Sequence, residues 1–378
     1  MKKLLLIIIS LFVLSLSYAQ FENMNNVQML ETMRDISRDV IRIPDIPGYK
    51  TLKCEFHIHT VFSDGPVWPT VRIDEAWSDG LDAIAITDHI VSHRRVNQGD
   101  HNTSYDIALP RAQELGIILI RGGEITKRMP PGHFNALFLK DANAIDVADP
   151  VASIKEAKKQ GAFVLWNHPG WKGQQPDTCI WLDMHEELFQ ANLFDGIEIF
   201  NAREFYPVAL DWCMDRDIPP FSNSDSHYAM LSHYDYEHSI RPMTLVFAEE
   251  ATEEGIKKAL FEKRTVAFFN NYLAGKEEYL EAIFHGSVEI IPKDFTKDDG
   301  KKLYLLRNNS DLDFILSGNM DEFSEGIRNL QIDGWNNVKL TRGRETVILA
   351  KPGKIDIAVL NLLTGSSDHL KTDLTFPE

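Results

Sequence analysis

The stretch Thr51-Leu52-Lys53-Cys54-Glu55-Phe56-His57-Ile58-His59 decides how the chain is read. An apolar run from Leu52 to Ile58 predicts a strand. Strand side chains alternate between faces, so His57 and His59 fall on the same side of it. The pattern then recurs. Leu81–Ile86 leads into Thr87-Asp88-His89, and Ile117–Ile120 into Gly122-Gly123-Glu124. Phe134–Leu139 is introduced by His133, Ala162–Trp166 runs into Asn167-His168-Pro169, and Pro220–Ser222 is followed by Asp225-Ser226-His227. Ile197–Phe200 is a further run, and Asp64 follows the first strand in Phe62-Ser63-Asp64-Gly65. Between the runs lie helix candidates, Pro69–Ser78, Val151–Gln160 and Glu204–Arg216; the first two stop at Gly80 and Gly161. Strands alternating with helices predict an α/β fold with a parallel sheet, doubly wound or closed into a barrel.

In a barrel of parallel strands, side chains at the carboxyl ends converge on one mouth. Histidines 57, 59, 89, 133, 168 and 227 would then face the same centre as Asp64, Glu124 and Asp225. Imidazole and carboxylate together suit zinc, manganese or iron, and the set is too rich in nitrogen for calcium or magnesium. Nine ligands exceed the need of one ion, so two or three divalent ions (Mn2+, Zn2+ or Fe2+) are expected. Glu124, alone on its strand, is the candidate bridge between two of them.

The chain has 378 residues, 44% hydrophobic and 25% charged, which excludes a disordered, collagenous or disulfide-dense protein. Its net charge of −17 argues against nonspecific nucleic-acid binding, because an acidic surface repels phosphate backbones. Lys2 and Lys3 precede an apolar run from Leu4 to Leu16 that ends in Ser17-Tyr18-Ala19. That is the pattern of a signal peptide, residues 1–19, too short to span a bilayer comfortably. The mature protein is expected to be exported, periplasmic or extracellular, with no stable membrane insertion. Three cysteines (Cys54, Cys179, Cys213) without a CxxC exclude a disulfide framework. An N-terminal segment, 20–50, leads into a main domain, 51–287, whose last elements are Met243–Phe247, a helix Thr252–Lys263 and a strand Thr265–Phe269. From Val288 to 378 short strand candidates without helices (Leu303–Leu306, Phe314–Leu316, Val338–Leu340, Thr346–Leu349, Ile355–Leu360, Leu370–Phe376) predict a small β-sandwich.

The series His57-x-His59, Asp64, Thr87-Asp88-His89, Glu124, His133, His168 and Asp225-x-His227 resembles the polymerase and histidinol phosphatase (PHP) superfamily over roughly residues 51–270. The resemblance implies a distorted (β/α)7 barrel with a trinuclear metal centre that hydrolyses phosphate esters. It further implies that His57, His59, Glu124 and Asp225 bind one ion, Asp64, His89 and His227 a second, and Glu124, His133 and His168 a third. Asp64 stands where some relatives carry His, a change that bears on metal preference. Ile46-Pro47-Gly48-Tyr49, Val67-Trp68-Pro69-Thr70, Met129 to Asn135 and Trp166 to Trp171 are most similar to an exported branch acting on small organophosphate diesters.

Bound cations acidify a coordinated water and neutralise phosphoryl oxygens, so a bridging hydroxide can attack phosphorus in line. Arg203, after the sixth strand, is the first candidate to hold a nonbridging oxygen, with Arg128 and Lys172 behind it. With Arg203, Asp64 and His89 are the residues expected to act at the substrate. His93, His185 and His233 are possible proton donors to the leaving group. Trp68, Trp166 and Trp171 either wall an apolar pocket for an ester group or pack the barrel rim. Three functions remain open: a phosphodiesterase, a phosphomonoesterase acting on a nucleotide or sugar phosphate, and a metal-stabilised binding module without catalysis. The expected partner is a small phosphate ester and not duplex nucleic acid; protein partners are not indicated.

Overall fold

Short aliphatic runs become strands where Gly, Asn, Asp or Pro ends them, and the longer polar stretches between them coil into helices. The structure, a computed structural model, describes residues 37–90, 100–176, 178–232, 234, 240–318 and 337–378. The expected signal peptide, with His93 and His233, lies outside the described residues.

The first half contains strands β1 (Lys50–Glu55), β2 (Ala83–Ile86), β3 (Ile118–Ile125), β4 (Phe134–Leu137), β5 (Phe163–Trp166), β6 (Gly196–Asn201), β7 (Glu204–Phe205) and β8 (Pro220–Asn223). Helices α1 (Pro69–Ser78), α2 (Thr103–Leu115), α3 (Pro150–Lys159), α4 (Asp183–Gln190) and α5 (Pro207–Asp215) connect them. Then come β9 (Met243–Ala248), α6 (Glu253–Phe261), β10 (Thr265–Phe269), β11 (Tyr272–Gly275) and α7 (Glu277–Ser287). The strands pair in the order β8-β6-β5-β4-β3-β2-β1-β9-β10-β11, with β1/β2, β2/β3, β5/β6 and β6/β8 parallel. Just beyond β1 and β8 the chain segments that follow these two strands meet. Ile58 bridges Ser226 in parallel, His59 N donates to Ser226 O (3.1 Å) and Asp225 N to His57 O (2.9 Å).

Two expectations need correction. The sheet is not parallel throughout, because β4 runs antiparallel to both β3 and β5. Only residues 126–133 separate β3 from β4, too few for the crossover a parallel pair requires, so the chain turns straight back. The helix expected from Glu204 begins at Pro207; Glu204 and Phe205 pair back onto Asn201 and Phe200. Proline at the first helical position has no N–H to leave unsatisfied, which places the start there. Pro69–Ser78 is a helix with the expected bounds, and Thr252 caps α6 by accepting from Gly255 N (3.0 Å).

The remaining chain forms β12 (Val288–Thr296), β13 (Lys302–Asn308), β14 (Phe314–Gly318), β15 (Asn337–Leu340), β16 (Glu345–Ala350), β17 (Gly353–Leu363) and β18 (His369–Phe376). β12-β13-β16 is a separate sheet, whereas β15-β14-β17 continues the large one because β17 pairs with β11, Leu273 opposite Leu362. Tyr304, Leu306 and Ile348 of the small sheet share one apolar cluster with Leu316, Ile357 and Phe376, and also with Phe247, Phe268 and Phe284 upstream. The large sheet and the apolar cluster both continue past residue 288. All three cysteines are free. No described helix is long and apolar enough to cross a membrane.

Candidate metal centre

The backbone beyond β1 carries His57 and His59 on one side, and both side chains are fully buried. Buried Glu55 holds this segment against the end of β8 by accepting from His57 N (3.0 Å) and Ser224 N (3.1 Å). Asn223 Oδ1 accepts from Phe56 N (2.8 Å). Arg72 of α1, equally buried, donates to the carbonyls of His59, Ser226 and His227, each at 2.9 Å. Asp64 sits in the turn that follows. A Cβ on Gly65 would come within 2.9 Å of His227 O and 3.2 Å of His59 O, so only glycine lets that turn lie against both ligand segments. Asp88 is not turned inward. It accepts from Thr60 N and Thr60 Oγ1 (both 2.7 Å) and from Ser63 Oγ (2.8 Å), pinning the loop between His59 and Asp64.

Glu124 is the hub. Its Oε1 lies 2.8 Å from His133 Nδ1 and 3.8 Å from both His57 Nε2 and His168 Nε2. Oε2 meets His89 Nδ1 and stands 3.8 Å from His59 Nε2. Asp225 Oδ1 is 3.2 Å from His57 Nε2 and 3.1 Å from His59 Nε2, with its Oδ2 3.9 Å from His168 Nε2. Asp64 Oδ1 is 3.0 Å from His227 Nε2 and 3.5 Å from His89 Nε2. His133 reaches the same mouth because β4 is reversed, which puts its amino end level with the carboxyl ends of β3 and β5. Asp225 (φ 50°) and His168 (φ 27°) are left-handed, a conformation costing about 1–3 kcal/mol each in a non-glycine residue, and both are ligand candidates.

Four groups of ligand atoms each lie within 4.8 Å of one another: His59-Asp64-His89-His227, His57-His168-Asp225, His57-His59-Glu124 and Glu124-His133-His168. These contain all nine expected residues; the third implied set appears unchanged, the second gains His59, and His57 and Asp225 also associate with His168. The donors fit divalent transition ions. Buried His57 Nε2 makes no hydrogen bond among the described residues, a costly state for such an atom without a further partner. Electrostatics in the bare cage push the imidazoles apart. Burial opposes charge on His57, but Asp225 and Glu198 outweigh it and raise the group to about 10. Burial, with His89 and His227 nearby, lowers His59 to about 3. Burial works to raise Asp225, yet His57 and His59 hold it below the usual carboxylate range.

Other expected residues fall less simply. Arg203 is exposed in the turn between β6 and β7, next to Ala202, whose N–H donates to Asn223 O (3.0 Å). It is on the same edge as Asp225. Arg128 and Lys172 are exposed. His185 is not placed to protonate a leaving group: it is fully buried, stacked on Trp166, and its two ring nitrogens contact Leu182 N and Pro131 O. Trp166 is fully buried in the core among Phe134, Phe194 and Trp212, so it neither walls a pocket nor packs a rim. Trp68 is 42% exposed and rests on Phe62. Trp171 is 41% exposed, with ring centroids 5.8 Å from His133 and 5.4 Å from His168. Arg111 of α2 pairs with Asp74 and Glu114 on a solvated face.

Glu55, Arg72, Glu198 and Arg241 were not singled out from the sequence. Glu198 had a readable signal, since a carboxylate inside Ile197-Glu198-Ile199-Phe200 must be buried if that run is a core strand, and burial demands partners.

No protein-family model matches the chain, and no curated protein does. Among solved structures it is similar to a two-domain protein from Bacteroides vulgatus containing a predicted PHP-like metal-dependent phosphoesterase, at 39% identity and TM-score 0.82 over 90% of this chain and 99% of that one. A Bifidobacterium adolescentis protein described as a candidate metal-dependent phosphoesterase matches 46% of this chain and 87% of its own, at 19% identity and TM-score 0.37. A mixed α/β fold thus brings together imidazoles and carboxylates that could hold metal ions. The chain belongs to the PHP-like metal-dependent phosphoesterases.

Proposed function

We propose that this phosphoesterase is a phosphodiesterase acting on small diesters, with the nine residues around Glu124 holding two or three Mn2+, Zn2+ or Fe2+ ions in a distorted seven-stranded barrel capped by a β-sandwich. The convergence of five of those side chains, all imidazoles, on the buried Glu124 carboxylate carries the reading. Bound ions would supply Lewis acidity and acidify coordinated water. Glu124 would join neighbouring groups because its two oxygens face different imidazoles. Arg203 would bind a nonbridging phosphoryl oxygen by charge-assisted hydrogen bonds. Trp171 would offer an apolar face to an ester group. Its indole is backed by Gly173, where a Cβ would come within 2.6 Å of the ring.

A diester carries a single negative charge, whereas a monoester dianion asks for more cationic donors, for which Arg203, Arg128 and Lys172 are the candidates among the described residues. With manganese, zinc or cobalt added, bis(4-nitrophenyl) phosphate should turn over faster than 4-nitrophenyl phosphate. Arg203→Ala should slow the diester reaction. The opposite substrate order would make the protein a monoesterase, and a metal-loaded protein inert toward both would make it a binding module.

Export is part of the proposal and rests on Lys2-Lys3, the Leu4–Leu16 run and Ser17-Tyr18-Ala19. N-terminal sequencing of protein recovered outside the cytoplasm should begin at Gln20. An intact Met1 would remove the claim.

A further inference from the structure

We propose that Glu198 is the positioning residue of the centre, its carboxylate fixing the tautomer of His57 and tying that imidazole to the backbone turn at His168. The inference rests on the metal-binding reading above. Glu198 is on β6, fully buried, and flanked in the chain by the buried Ile197 and Ile199. Its Oε1 lies 2.8 Å from His57 Nδ1 and accepts from Asn223 Nδ2 (2.9 Å). Its Oε2 accepts from His168 N (2.8 Å) and Asn201 Nδ2 (2.9 Å).

Three of these four partners are N–H donors, so both oxygens are committed as acceptors. A carboxylate that only accepts requires a proton on His57 Nδ1, and the neutral imidazole then keeps its lone pair on Nε2. Nε2 is buried without a hydrogen bond among the described residues, and it faces Asp225 and Glu124. The same carboxylate anchors His168 through its backbone N–H, at a residue whose left-handed conformation needs outside support. One group thus orients two ligands that share a cluster with Asp225 and each also belong to a further one, as outer carboxylates do for metal-bound histidines generally. Gln would spoil this in either orientation, since its NH2 would face His57 and Asn223 or else His168 N and Asn201.

The test uses the full mature chain loaded with zinc. In a spectrum of 15N-labelled histidine, the His57 signals, assigned by their loss in His57→Gln, should show Nδ1 protonated and Nε2 bare. Zinc affinity of Glu198→Gln, measured against a chromophoric chelator at pH 7, should fall about 10–100-fold. A proton on His57 Nε2 overturns the proposal, as does wild-type affinity with an unaltered His57 spectrum in Glu198→Gln. Should that variant not fold, the wild-type tautomer decides alone. Zinc absent from the wild type defeats the metal reading itself, whereas zinc held equally by wild type and variant with the His57 spectrum unaltered defeats only the role given to Glu198.

Discussion

Glu124→Gln should lose at least one ion per chain and slow diester hydrolysis by at least about a thousandfold, the scale on which a single electrostatic stabiliser is felt in a catalytic site. The substitution keeps shape and volume, so its effect isolates charge. Five imidazoles face the two oxygens of Glu124, and Asn167 Nδ2 donates to Oε1 (3.2 Å). Turning one oxygen into NH2 removes the negative charge from the middle of the cage and points a donor at nitrogens that must offer lone pairs. Elemental analysis and turnover of bis(4-nitrophenyl) phosphate measure both effects, with the melting temperature as a control on folding. Full metal content and an undiminished rate would remove Glu124 from the bridging position.

Arg241→Met should destabilise the fold by about 3–5 kcal/mol, the usual penalty for stripping one partner from a buried ion pair. Arg241 is 1% exposed, donates to Glu55, and pairs with Asp79 at 2.8 Å. Burial pushes Glu55 up from the usual carboxylate range, and Arg241 is the largest influence holding it down. Without Arg241 the folded-state pKa of Glu55 rises further above its unfolded value. The contribution of such a group is fully present below the unfolded pKa and is lost as pH rises through the folded one. The variant should therefore be most deficient near pH 8 and recover part of the loss near pH 5. Urea unfolding of both proteins at the two values gives the difference; a deficit independent of pH would mean that Glu55 does not carry it. Because Glu55 also holds His57 N and Ser224 N, metal content should fall as well.

Much of this molecule is legible locally. The side on which His57 and His59 lie follows from strand period alone, and the helix at Pro69–Ser78 from its proline start and glycine stop. Strands after residue 288 fall where short aliphatic runs meet turn residues. Other features depend on neighbours remote in the chain. His133 precedes its strand where most of the other ligands follow theirs, and only the reversal of β4 explains why it still reaches the mouth. Trp166 and His185 carry chemistry-bearing side chains yet pack into the core, because the segments stacked on them come from elsewhere.

By itself the sequence determined the kinds of ligand, their spacing along successive strands and the family to which they belong, since strand period and residue chemistry act within a few residues. Only the tertiary structure decided which carboxylates hold metal candidates and which hold the scaffold. Glu198 meets His57 across 141 positions, and Arg72 meets Ser226 across 154. A buried charge is tolerated only where distant donors are brought to it, and that assembly exists once the chain has folded.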